Sequence, residues 1–330
     1  MDSIGLKNLR SLSDTGFVEL KPITLLLGQN SSGKSTFLRT FPLIRQSLES
    51  RTTGPILWYG QYVDFGNFQD SLFIDAEDPE ITFEFGFELP KAIHNSFQNR
   101  YDYRFFVDET SLDKVLLGLT ITSDARQEGS VHKKTLLQTY GHDVVITYDA
   151  DGRIVTLSVN GRDFSSSVNE MRISPRGLVP RILDSKYLFS ESVPTVVSRR
   201  ESRVLELLIG EIKKYMHKKT SPETIQKFAL GLGIDNTSGM LDKFRNARNA
   251  TETWRERVSS WTADTPDFLM MRDLVIANAV PRILDICDDY LCDFFKISKY
   301  LAPVRAMAER YYRIQNLAVN EIDLGVFQMS

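Results

Sequence analysis

Ile4 and Leu6, then Leu9 and Leu12, frame a first strand, and Ser13-Asp14-Thr15-Gly16 reads as a turn into a second at Phe17-Val18-Glu19-Leu20, closed by Pro22. The apolar run Ile23-Thr24-Leu25-Leu26-Leu27 predicts a buried strand, after which Phe37, Leu38, Phe41, Ile44 and Leu48 recur at helical spacing. Pro42 falls inside that helix; it removes a ladder donor and predicts a kink or an early end. Gly54 to Phe73, rich in Gly, Tyr and Phe, predicts a loop with short extended pieces. Ile81, Phe83, Phe85 and Phe87 alternate with Thr82, Glu84, Gly86 and Glu88, the pattern of a half-buried strand. From Tyr101 to Phe164 the pattern stays extended, with strands at Leu117–Ile121, Val144–Tyr148 and Ile154–Val159. Asp151-Gly152 and Asn160-Gly161 are suited to two-residue hairpin turns, so an antiparallel meander is expected.

Helices take over near Ser198. Leu205, Leu208, Ile212 and Tyr215 form one stripe, and Thr220-Ser221-Pro222-Glu223 predicts a capping box with Pro at the first helical position. Further helices are expected through Phe228, from Leu241 to Val258 and from Phe268 to Lys299, with a possible return to strand at Leu317-Ala318-Val319. The division this implies is 1–197, 198–299 and 300–330.

With 42% hydrophobic and 11% aromatic residues, the 330-residue chain has ample material for a core. A net charge of -3 gives no global attraction to nucleic acid or to anionic membrane. Cys287 and Cys292, the only cysteines, fall in a helical pattern and point in different directions, so both are expected reduced in the core. His132 and His142 are expected to be exposed loop histidines. No signal peptide opens the chain and no run has the length to span a bilayer, so a cytoplasmic protein with no membrane partner is expected.

The stretch that changes the picture is Gly28-Gln29-Asn30-Ser31-Ser32-Gly33-Lys34-Ser35-Thr36, which follows the apolar run and precedes the first helix. It fits the phosphate-binding P-loop. A strand delivers a tight loop whose backbone N–H groups converge on phosphate oxygens, and the helix N-terminus adds its positive dipole end. Gly28 and Gly33 permit the close approach, Lys34 reaches the β and γ phosphates, and the Ser35 hydroxyl is placed to ligate Mg²⁺. ATP and Mg²⁺ are therefore the expected cofactors.

Together with Gly5-Leu6-Lys7-Asn8-Leu9-Arg10-Ser11-Leu12 and Tyr300-Leu301-Ala302-Pro303-Val304-Arg305, this loop gives the chain a resemblance to the ABC-type ATPases of the SMC, RecF and overcoming-lysogenization-defect group. More narrowly, the chain resembles the ATPases of bacterial anti-phage systems of the Septu and retron-associated kind. The resemblance implies an α/β, ABC-type P-loop ATPase head whose N-terminal lobe has an antiparallel β region and carries a helical insertion. It also implies a homodimer of heads with ATP between them, coupled to DNA or to a partner nuclease, with an HNH enzyme suspected. The residue matching Arg10 often approaches the nucleotide in such heads; the alternative here is a solvated arginine beside the first strand. A RecF- or SMC-like repair or chromosome-maintenance head is the rival, but no sustained heptad appears, and Gly231, Gly233, Gly239 and Pro266 interrupt the region where a coiled-coil arm would lie.

Hydrolysis needs acids at the end of an apolar strand to hold Mg²⁺ and orient water. Ile283-Leu284-Asp285-Ile286-Cys287-Asp288-Asp289 imitates that pattern, but its apolar residues recur at helical spacing and predict a packed helix. The family's Ser-Gly-Gly signature and switch histidine are absent, and its inter-lobe glutamine is not assignable, Gln61 and Gln69 being candidates only because they follow the first helix. A C-terminal lobe outside these residues is therefore expected, with little turnover from this chain alone; a nucleotide-binding scaffold without hydrolysis is the alternative. Between Arg199 and Arg257, thirteen Lys and Arg stand against eight Asp and Glu. Lys213, Lys214, Lys218 and Lys219 cluster, and Lys243, Arg245, Arg248, Arg255 and Arg257 accompany Phe244, Trp254 and Trp261. This suits a nucleic-acid backbone or an acidic protein, or an ordinary solvated helix face.

Overall fold

The computed structural model describes residues 1–50, 52–89, 114–124, 129–174, 177–183, 203–247 and 250–301. Met1–Lys299 form one compact unit and Tyr300–Ser330 a second. The possible strand at Leu317-Ala318-Val319 and most of Tyr300–Arg305 lie outside the described residues. The fold is mixed α/β, with seven α-helices and a large antiparallel sheet among the described residues.

The N-terminal segment makes a hairpin where one strand was expected. Strands β1 (Ser3–Leu9) and β2 (Leu12–Asp14) pair antiparallel, and β3 (Val18–Glu19) pairs with the start of β1 along the same edge as β2. The reversal between β1 and β2 needs a left-handed residue, which Arg10 supplies at φ 52°. Helix α1 (Lys34–Glu49) runs straight through Pro42. The carbonyl that Pro42 leaves without a donor belongs to Leu38, whose residue is 48% exposed, so water can satisfy it. The loop from Gly54 to Phe73 contains one unforeseen helical turn, α2 (Phe68–Ser71), closed by a capping box between Asn67 and Asp70.

Strands β4 (Glu80–Glu88), β5 (Lys114–Ser123), β6 (Ser130–Thr139), β7 (His142–Tyr148), β8 (Ile154–Val159) and β9 (Arg162–Asp163) complete a nine-stranded sheet ordered β2-β1-β4-β5-β6-β7-β8-β9, with β3 off that path. A pair of short strands, β10 (Arg172–Ile173) and β11 (Ile182–Leu183), stands apart. The expected meander is thus present and gains β6, whose polar Lys133, Lys134 and Gln138 hid its alternation. Asn160 and Gly161 make the predicted turn with φ of 51° and 79°, and Tyr140-Gly141 makes a second of the same kind at 54° and 72°. Register carries one apolar row across the sheet, Phe85 to Leu117 to Leu137 to Val144 to Val159.

Five further helices follow, α3 (Arg203–Lys213), α4 (Pro222–Leu230), α5 (Thr237–Arg245), α6 (Glu252–Val258) and α7 (Pro266–Ile297); α7 lies against that face, α3 and α5 pack on α7, α4 on α3 and α6 on α5. The expected helix from Leu241 to Val258 is therefore two helices. The cap of α4 is Ser221, whose side chain accepts from Thr224 N, with Pro222 opening the helix as predicted. Phe295 of α7 meets Phe85 of β4 at 5.9 Å and Phe41 of α1 at 6.0 Å, so one ring joins the sheet, the long helix and the loop-bearing helix. Full burial of such a side chain contributes on the order of 1.5–3 kcal/mol. Polar ties add register: buried Asp273 of α7 accepts from Asn160 Nδ2 at 2.7 Å and Arg162 Nε at 3.0 Å, and buried Asp288 accepts from Arg181 Nε at 2.9 Å.

Both histidines expected in loops are buried in strands, His132 in β6 and His142 in β7. Each spends one ring nitrogen on a distant carbonyl: His132 Nε2 lies 3.3 Å from Gly177 O, and His142 Nε2 lies 2.9 Å from Asp235 O. Burial pushes the His132 imidazole down to about 4 and also lowers His142. The neutral forms are favoured in the fold, so this stability is intact above about pH 6.5, the ordinary histidine value. It is lost as pH falls toward 4, because unfolding then takes up protons. Urea unfolding between pH 7 and 4 should show that acid loss, and His132→Gln should flatten it; an unchanged acid limb in that variant would contradict the assignment.

Candidate functional site

Gly28 to Gly33 form a loop, exposed as far as Ser32, that leads into α1, whose first residues are Lys34, Ser35 and Thr36. The strand expected before it is not formed. Ile23, Leu25 and Leu27 are 82%, 78% and 90% exposed, and no described strand pairs with them. An apolar run becomes a strand only where another strand supplies its hydrogen bonds, and the neighbouring β3 turns away to pair with β1.

The loop itself has the backbone its sequence requires. Ser31 and Gly33 hold φ of 64° and 90°, and Ser32 N donates to Gln29 O at 3.4 Å. Gly33 is the N-cap of α1, with no side chain capping the helix, and the first helical bond runs from Phe37 N to Gly33 O at 2.8 Å. The amides of Lys34, Ser35 and Thr36 consequently have no backbone carbonyl within the helix, and none outside it among the described residues. Lys34 folds back over its own loop: Nζ donates to Gly28 O at 2.8 Å, to Gln29 O, and to Ser32 Oγ at 3.3 Å. Ser35 is exposed, and its hydroxyl bonds to no described residue. Gln29 and Asn30 form the exposed tip. An uncapped helix N-terminus, three amides without a described acceptor and an adjacent ammonium together suit a phosphate.

The β1–β2 turn packs directly on this loop. A Cβ built on Gly33 would overlap Leu12 Cδ2 and lie 3.1 Å from Ser11 Oγ. Arg10, from the same turn, has its Cζ 4.4 Å from the Phe65 ring centroid. It is half-buried rather than freely solvated. Arg39 of α1 approaches the same ring at 5.3 Å and donates from Nη2 to Asp64 O at 3.0 Å. Nothing in linear order links Arg10, Phe65 and Arg39, though Arg39 stands four residues after Ser35 and so shares its helix face. Buried Gln46 was also silent in the sequence: Nε2 donates to Leu57 O at 2.7 Å, and Oε1 accepts from Val63 N at 3.1 Å, tying the loop that holds Phe65 to α1.

Other candidates fall elsewhere. Asp285, Asp288 and Asp289 belong to α7, as the helical spacing predicted, and Arg181 binds the last two. Gln61 and Gln69 are exposed beyond Phe65's loop and make no described contact with Gly28–Thr36. No cluster of three or more His, Cys, Asp or Glu among the described residues could hold a metal. Cys287 is buried and Cys292 partly so; both are free, and burial raises both thiols, Cys292 to about 12. No helix among the described residues is long and apolar enough to cross a membrane.

The aromatics interleaved with the basic residues are core. Trp254 is fully buried, edge-on to Phe228 at 4.6 Å and to Trp261 at 6.0 Å, and donates from Nε1 to Phe244 O at 2.8 Å. They offer no face to a base. Several cations also serve the fold: Arg245 and Arg257 donate to the carbonyls of Trp261 and Lys214, and Lys243 pairs with Asp235 at 3.0 Å.

Gly33 is the steric keystone of the loop. Gly33→Ala should cost about 1–3 kcal/mol in denaturant unfolding, from the positive φ and the collision with Leu12. Gly141→Ala, at φ 72° with open space around it, should cost less. Equal costs would show that the turn does not press on the loop.

The chain matches no protein-family model, and no curated protein matches it.

Proposed function

We propose that this chain binds a Mg²⁺–nucleoside triphosphate, ATP in the first instance, through Gly28–Thr36. The observation that carries the proposal is the start of α1: three successive amides without a described partner, left-handed Ser31 and Gly33, and the Lys34 ammonium folded over the same loop. The amides and Lys34 would hold the phosphates. Mg²⁺ would rest on Ser35 and phosphate oxygens, with water completing its octahedron, an arrangement that needs no dedicated protein cage. Magnesium supplies charge neutralisation across the β and γ phosphates.

The wider role follows from the resemblance: an ABC-type ATPase subunit of a bacterial anti-phage complex, whose heads dimerise on nucleotide and control a nuclease. What supports it over a RecF- or SMC-like arm is the course of residues 203–297, where five helices pack on one another and none projects as a coiled coil. The burial of Phe244, Trp254 and Trp261 favours a protein partner over base-stacking nucleic acid at the basic segment. Loss of one charge-assisted phosphate contact costs about 1.5–3 kcal/mol, so Lys34→Ala should weaken equilibrium ATP binding by tenfold or more without lowering the melting temperature. Unchanged affinity in that variant would remove the proposal.

A further inference from the structure

Phe65 is fully buried, and its backbone is fixed at both ends: its N donates to Trp58 O at 2.8 Å and its carbonyl accepts from Ser71 Oγ at 3.1 Å. Two guanidiniums are held over this one ring, Arg10 from the β1–β2 turn and Arg39 from α1. Neither lies within ion-pair distance of a carboxylate among the described residues. The two nearest acids are engaged by backbone amides instead. Asp64 Oδ1 accepts from Gly66 N at 2.7 Å, and Asp70 Oδ2 accepts from Asn67 N at 3.2 Å. The Arg10 guanidinium bonds to no described acceptor at all. Its ordinary value is lowered, first by partial burial and then by the charge of Arg39, against the opposing pull of Asp64 and Asp70.

Two cations over a common ring, neither bonded to a carboxylate among the described residues, form a place where an added anion is favourable. The turn that carries Arg10 also reaches the loop: Ser11 and Leu12, which follow it, lie against Gly33, and Arg39 stands one helical turn after Ser35 on the same face of α1. Arg also suits the task better than Lys, because its fork can meet two phosphate oxygens at once.

We infer that Arg10 and Arg39, stacked over Phe65, form a paired-guanidinium subsite that reads the terminal phosphate of the nucleoside triphosphate. This rests on the nucleotide-binding proposal above and adds to it a basis for distinguishing triphosphate from diphosphate. Arg39 is the residue newly assigned. Lys34 and the loop amides would hold the phosphates common to both nucleotides, whereas the arginine pair would act on the last one.

The test compares equilibrium binding of Mg²⁺–ATP and Mg²⁺–ADP to the full chain and to Arg10→Gln, Arg39→Gln and Lys34→Ala. Each arginine variant should lose about tenfold or more of its ATP affinity while ADP affinity changes by less than about threefold. Lys34→Ala should weaken both nucleotides. Should Arg39→Gln lower the melting temperature, Arg39→Lys, which keeps the stem and charge but not the fork, should still show a reduced ATP-to-ADP preference. Equal losses for ATP and ADP in the arginine variants, or no loss for either, would overturn the inference. If Lys34→Ala leaves both nucleotides bound, it is the underlying nucleotide proposal that fails.

Discussion

The packing of Phe295 between Phe85 and Phe41 decides where the Gly28–Gly33 loop can be. Helix α7 lies on the apolar face of the sheet, and α1 lies on α7, so the position of α1 and of the loop at its N-terminus is inherited from a contact at the helix's far side. The second constraint acts at the loop itself. Leu12 and Ser11 press on Gly33, so the sheet reaches the loop through the β1–β2 turn as well as through α7. A loop held from two directions can keep its amides turned outward, and preorganisation of this kind reduces the ordering cost of binding.

The same arrangement leaves polar and apolar groups in unfavourable settings. Left-handed Ser31 sits in a sparsely populated backbone region, the first amides of α1 lack described acceptors, and Arg10 and Arg39 repel one another over Phe65. Each of these costs free energy in the protein by itself, and an anion would relieve the last two. Their convergence around one loop is a stronger pointer to function than any of them singly. Elsewhere the charged groups are matched: Asp273 and Asp288 are buried on α7 but each is met by an arginine from the β region.

The sequence was most legible where local pattern and tertiary packing agree. Ile81 to Phe87 alternates because one face of β4 is buried, and Asn160-Gly161 turns because both residues must adopt positive φ. Ile23 to Leu27 misled because an apolar run records a propensity to pair and not the presence of a partner. His132 and His142 misled for the opposite reason: polar side chains within strands are buried when distant carbonyls, Gly177 and Asp235, can accept their protons. The glycine-rich spacing of Gly28 to Thr36 was visible because it is local, whereas Arg10, Arg39 and Phe65 meet only through the folded chain. Trp254 and Trp261 show the same limit, as aromatics among cations read as a binding surface until their burial is known.

The central claim is that the backbone of Gly28 to Thr36 receives the phosphates of a nucleotide. Amide hydrogen exchange with and without Mg²⁺–ATP reads that backbone directly, because the amides at the start of α1 have no described acceptor to protect them. Slowed exchange centred on residues 33–36, extending to the turn at Arg10 and Ser11, is the result this account predicts. Unchanged exchange across residues 28–36 at saturating nucleotide, or protection confined to another part of the chain, would contradict it.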